Sequence, residues 1–140
     1  MELFLHTEFP DRLENEWNTL LAQTATHVPF LRHEYLRLWW QTRGGGEWQN
    51  AELALVTAVR DGCLVGAAPL FYTPDHQGSP ALLLLGSIEI SDYLDLLVRP
   101  DDLPGFLDAL LPFLIASRLP PWHTLDLYNI LDHSPTLPAL

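Results

Sequence analysis

Ala51–Tyr72, AELALVTAVRDGCLVGAAPLFY, decides the architecture. Two β-rich runs, Ala51 to Arg60 and Cys63 to Tyr72, flank Asp61-Gly62, a pair suited to the positive φ angles of a two-residue type I′ turn. Such a turn sets the register. Arg60 pairs with Cys63 and Ala58 with Val65, and Ala54 falls opposite Pro69, whose missing N–H forces a bulge or ends the ladder. Both faces of the runs are largely apolar, with Leu53, Leu55 and Val59 on one side and Ala54, Val56 and Ala58 on the other. A hairpin of this kind is covered on both sides and belongs at the centre of a sheet.

On its N-terminal side, Glu2 to His6 reads as a short strand, and Asp11 with Glu14 three residues later resembles a capping box. The helix it opens carries Leu13, Trp17, Leu20 and Leu21 on one face and runs to about Ala25. A second helix starts at about Arg32, with Leu31, Tyr35, Leu38 and Trp39 on its apolar stripe, Leu36 and Trp40 off it, and Gly44, Gly45 and Gly46 as its stop. On the C-terminal side, Thr73 to Pro80 reads as a polar loop, and Ala81 to Leu85 and Tyr93 to Val98 as strands. Pro100 to Pro104 leads into a helix ending near Leu119, and Thr124 to Tyr128 is a last strand. This order predicts one α/β domain over residues 1–140, with a mixed, largely antiparallel sheet and helices on both faces.

Composition narrows the function. With 140 residues and 48% hydrophobic side chains the chain is long enough to bury a core. Eighteen acidic against seven basic residues give a formal charge of −11, a field that repels nucleic acid and anionic lipid. Neither is expected as a partner. The single cysteine, Cys63, cannot form an internal disulfide, and MELFLHTEFP lacks the basic start and apolar core of a signal peptide. The most apolar helical stretch, Phe106 to Leu119, is interrupted by Asp108, Pro112 and Arg118 and is too short to span a bilayer. A soluble cytoplasmic protein is expected.

Leu82–Val98, LLLLGSIEISDYLDLLV, sets a polar cluster of Ser91, Asp92, Tyr93 and Asp95 between two apolar runs. Two readings stand for Asp92, Tyr93 and Asp95. In one they are structural: Tyr93 buries its ring, Asp92 caps the turn and Asp95 faces solvent. In the other they bind substrate at the wall of a cleft. In a strand Tyr93 and Asp95 share one face and Asp92 the other, so all three meet one pocket only if the strand entry is irregular. No catalytic residue stands out. The six histidines, His6, His27, His33, His76, His123 and His133, lack metal-ligand spacing. Cys63 reads as a small packed residue. Ser79, Ser87 and Ser91 lie outside any nucleophile elbow. Trp39, Trp40 and Trp122 read as packing groups.

FLRHEYLRLWWQTRGG, VRDGCLVGAAPLFY, LLLLGSIEISDYLDLLVRP and LDLYNILDHSP resemble, in order and spacing over about Phe30 to Pro135, the N-terminal half of the CelD-like (BioF/CelD-type) GNAT acetyltransferases. The most specific elements are Trp39-Trp40, Val65-Gly66 to Pro69-Leu70, Gly86 to Asp92-Tyr93-x-Asp95, and Ser134-Pro135. The resemblance implies a GNAT-like domain that is one half of a longer two-half protein, the other half carrying the acetyl-CoA or other acyl-CoA site. The activity implied is acyl transfer to a small-molecule amine or hydroxyl acceptor, with this chain inactive alone and binding no cofactor. The alternative is a noncatalytic GNAT-like scaffold or ligand-binding module. Arg43-Gly44-Gly45-Gly46 has the residues of a phosphate loop but follows a helix, so it reads as a helix stop. A missing half also implies an uncovered apolar surface, offered to that half or to self-association through Leu36, Trp40, Phe106, Leu110, Phe113 and Leu114.

Overall fold

The computed structural model describes residues 1–87 and 91–140. The chain is α/β, with two mostly antiparallel sheets of four strands each, flanked by helices. The first sheet has the order β1-β3-β4-β7, from β1 (Glu2–His6), β3 (Leu55–Arg60), β4 (Cys63–Ala68) and β7 (Leu97–Val98). The second has the order β2-β5-β6-β8, from β2 (Glu52–Leu53), β5 (Leu70–His76), β6 (Ser79–Leu84) and β8 (Thr124–Asp126). Its β6–β8 pair is parallel, and the other described pairs are antiparallel.

The expected hairpin runs through both sheets. Asp61 and Gly62 have φ of 52° and 76°, and Arg60 pairs with Cys63, as the type I′ turn requires. Beyond Val59 a bulge adds one residue, Val65, so Ala58 pairs with Gly66 and not with Val65. The extra residue also changes what faces Pro69. Val56 pairs with Ala68 and Leu53 with Phe71, which puts Leu55, not Ala54, opposite the proline. The ladder breaks there as expected, because Pro69 has no N–H to donate, and the break divides the expected single sheet into two. Ala54 N–H bonds to Leu70 O at 3.0 Å on the far side, and Pro69 O accepts from Leu85 N–H at 2.7 Å.

A second hairpin replaces the expected loop at Thr73 to Pro80. β5 continues to His76, β6 starts at Ser79, and Gln77 and Gly78 turn with φ of 53° and 83°. In exchange, Tyr93 to Leu96 is not strand, and only Leu97–Val98 of that segment pairs, with β4.

Helices cover the first sheet on both sides. After a 3-10 turn at Asp11–Leu13, α1 (Glu14–Leu21) borders the face carrying Thr57, Val59 and Leu64. The alternate face carries Ala58 and Gly66, and there α3 (Leu103–Ala116) seats Phe106 so closely that a Cβ on Gly66 would lie 2.8 Å from its ring. α2 (His33–Gly46) packs on the second sheet, with Trp39 and Phe71 ring centroids 5.4 Å apart. Its first turn is capped from another helix: Asn18 accepts from His33 N–H at 3.0 Å and donates to Glu34 at 2.9 Å. A short α4 (Thr136–Ala139) closes the chain.

The apolar side of α2 differs from the expected stripe. Leu36 and Trp40 are buried with Trp39, and Leu38 is the exposed one at 60%. Phe106, Leu110 and Leu114 are buried as well, so the expected apolar surface does not lie on these residues. Exposed large apolar side chains include Leu111 and Ile115 on α3, and Leu137 and Leu140 near the C-terminal end. The total accessible surface is 7074 Å², against about 7,400 Å² from the scaling for folded monomers of this mass. Among the described residues no helix is long and apolar enough to cross a membrane.

Candidate functional site at the ends of the parallel strands

β6 and β8 run in parallel and end at Leu84 and Asp126. In open α/β sheets ligands bind outside the carboxyl ends of the strands, where the strand order reverses. One segment begins Leu85-Gly86-Ser87 and is described again from Ser91; residues 88–90 of the expected Gly86 to Asp95 run lie outside the described residues. The other is Leu127-Tyr128-Asn129.

Gly86 fits because no other residue does. Its φ is +100°, and a Cβ would meet Leu94 at 2.7 Å and Ser91 Oγ at 3.0 Å. Ser91 is buried and hydrogen-bonds Tyr35 Oη at 2.8 Å through its hydroxyl. Asn129 ties the two segments together, donating to Ser91 O and accepting from Leu94 N–H, both at 3.0 Å. Trp48 closes the other flank, its indole N–H donating to Ser87 O at 3.1 Å. The Ser87 hydroxyl, buried beside them, has no hydrogen-bond partner among the described residues.

The three residues expected to bind substrate are not brought together. Asp95 is 2% exposed, and its carboxylate accepts from Thr26 (2.8 Å), Ser134 (2.5 Å), Thr136 (2.6 Å) and Leu96 N–H (2.8 Å). It does not face solvent, because these donors replace water around the charge. Tyr93 does not bury its ring: it is 45% exposed, and Asp92 beside it is exposed too. The strand alternation that paired Tyr93 with Asp95 fails because this stretch is not a strand.

A cluster that the sequence did not suggest lies next to this site. Asp126 and Tyr128 converge on His76 Nε2, at 3.4 Å and 3.2 Å. The His76 and Tyr128 rings meet edge to face at 5.7 Å, and Trp48 stands 6.5 Å from the imidazole. Burial, then the Asp126 charge and hydrogen bond, raise the Tyr128 pKa above that of an ordinary phenol, which keeps it a proton donor. Both contacts fall on one ring nitrogen, which can donate to Asp126 or accept from Tyr128 but not do both at once. Asp126 and Tyr128, two apart, carried one usable signal, a shared face at the end of a strand. His76 carried none, since its strand read as loop.

Arg43-Gly44-Gly45-Gly46 ends α2 in left-handed backbone, with φ of 51°, 64°, 79° and 96°, and Trp48 N–H closes the turn on Arg43 O at 3.1 Å. It does not join a strand to a helix. Cys63 is exposed, not packed, because it follows the tip of the first hairpin. Among the described residues no group of three or more His, Cys, Asp or Glu is placed to hold a metal ion. Compared with protein-family models, with curated proteins and with solved structures, the chain finds no match.

Proposed function

We propose that this chain is the N-terminal, acceptor-side half of a CelD-like GNAT acyltransferase that works in the cytoplasm and takes acyl-CoA on its other half. The observation that carries the reading is the parallel β6–β8 pair in an otherwise antiparallel framework, with Gly86, Ser91 and Asn129 joining the segments at its carboxyl ends. Two separated elements of the resemblance, Asp95 and Ser134, also meet in one buried hydrogen bond. In the reaction an acceptor amine or hydroxyl attacks the thioester carbonyl, the C–S bond breaks and CoA leaves as the thiolate. The proton lost by the acceptor goes to a base, a role we assign to His76 through Nδ1, since Asp126 and Tyr128 engage its Nε2. We assign contact with the acceptor to Asp92 and Tyr93, which are exposed on the adjoining surface. The uncovered side of α3 is where the second half or a second copy would sit.

Calorimetric titration with acetyl-CoA, then with a panel of small amines and alcohols, tests this. The expected result is saturable binding of an acceptor, weakened by Asp92→Asn or Tyr93→Ala, without saturable binding of acetyl-CoA. Micromolar binding of acetyl-CoA by these residues would place the cofactor site in this half and overturn the assignment.

A further inference from the structure

All seven basic residues of this chain are arginines, set against eighteen carboxylates. Arg32, Arg37, Arg60 and Arg99 pair with Glu34, Asp11 and Asp102. Among the described residues Arg12, Arg43 and Arg118 make no such pair, and two of these three, Arg43 and Arg118, line the same cavity. In so acidic a protein, two arginines lining one cavity without a carboxylate ion pair are an unusual arrangement. An anion in that cavity would be attracted by both charges.

The cavity has a volume of about 440 Å³ and opens where the two sheets part. β1 pairs with β3 only as far as His6 with Leu55, and β2 beyond it is an edge strand bonded to β5 alone. The gap left beside β2 is walled by Leu5, Trp40, Leu53 and Leu119 together with the two arginines. Arg43 is held rather than loose. Its guanidinium carbon lies 3.6 Å from the Trp40 ring centroid, and it donates to Trp40 O. Burial lowers its pKa, so its charge is kept at a cost that a bound anion would offset. Glu52 borders the cavity without pairing with either arginine. It disfavours a dianion with no apolar part and leaves room for a single anionic group anchored by its hydrocarbon.

We propose that this groove is a binding site for a small amphiphilic anion, its carboxylate or phosphate on Arg43 and Arg118 and its apolar body against Trp40, Leu53 and Leu119. Planar guanidinium groups bind either anion through paired hydrogen bonds, and the groove has the size of a small-ligand site. This inference does not rest on the acyltransferase reading.

Octanoate, octyl phosphate and 1-octanol are titrated into the whole chain, with binding followed by the NMR shift of the Trp40 indole N–H. Octanoate or octyl phosphate is expected to bind saturably, at least tenfold more tightly than octanol, and more weakly as salt rises. Which of the two binds better identifies the source of the anion. Arg118→Gln, a change at an exposed position, is expected to weaken anion binding about tenfold and leave octanol binding unchanged. Equal binding of octanol and the anions, an unaffected Arg118→Gln variant, or no saturable shift at millimolar ligand would each overturn the proposal.

Discussion

Ser134 donates a 2.5 Å hydrogen bond to the buried carboxylate of Asp95, 39 residues earlier in the chain. The contact pins the C-terminal α4 turn to the segment that follows the parallel-strand site, and Thr26 and Thr136 complete the cage at 2.8 Å and 2.6 Å. Asp95→Ala removes the acceptor of three side-chain hydroxyls and leaves them buried, so it is expected to cost about 3 kcal/mol or more. Asp95→Asn should cost less, because hydroxyls rotate and can accept from the amide. Urea unfolding of both variants measures this, and equal small losses would show that the cage contributes little.

Gly62→Val tests the first hairpin. Nothing lies within 4 Å of the added Cβ, but φ is +76°, so the cost is purely one of backbone, about 1–2 kcal/mol. Thermal unfolding should fall by roughly 3–8 °C. An unchanged midpoint would mean the left-handed turn is not held in solution.

Gly66→Ala tests packing instead. The backbone is ordinary strand, but the methyl would press on the Phe106 ring at 2.8 Å, and overpacking of this kind costs about 1–3 kcal/mol. Phe106→Leu in the same chain should recover part of the loss, a coupling that a double-mutant cycle reads directly.

Glu34 sets a pH dependence. Hydrogen bonds from Asn18, from its own backbone N–H and from Arg32 lower its pKa from 4.5 to about 2. A depressed carboxyl pKa stabilises the fold above the unfolded value, and that contribution is lost as pH falls from about 4.5 towards 2. The Glu34 side chain is 37% exposed, so screening keeps the effect to no more than about 1 kcal/mol. Glu34→Gln is expected to lower stability at pH 7 by that amount and to flatten this part of the acid limb. A parallel loss at every pH would point to packing instead.

The outer side of α3 predicts concentration-dependent association, since Ile115 is 74% exposed and Leu111 37%. Sedimentation velocity over a range of concentrations should show it, and Ile115→Glu should reduce it. Monomer at every concentration would remove this face as a docking surface.

Local chemistry wrote the first hairpin, the two long helices and the break at Pro69 into the chain, because each depends on neighbours a few residues apart: Asp61-Gly62 for the turn, the glycines after Thr42 for the helix stop, a missing N–H for the break. Periodicity told that α2 has apolar sides but not which of them would meet Phe71, so Leu38 and Trp40 exchanged places between expectation and structure. The second hairpin was hidden by Pro74 and Asp75, which read as loop but lie within β5 at a register shift between its pairs Thr73–Ala81 and His76–Ser79. The bulge at Val65 moved Pro69 by one partner and left no trace in composition. Asp95 could be placed only by folding, since Thr26 and Ser134 arrive from 69 and 39 residues away, and the same holds for His76 meeting Asp126 across 50. Separations of that length leave no periodicity to read; the burial of a charge depends on donors that only the packed chain assembles.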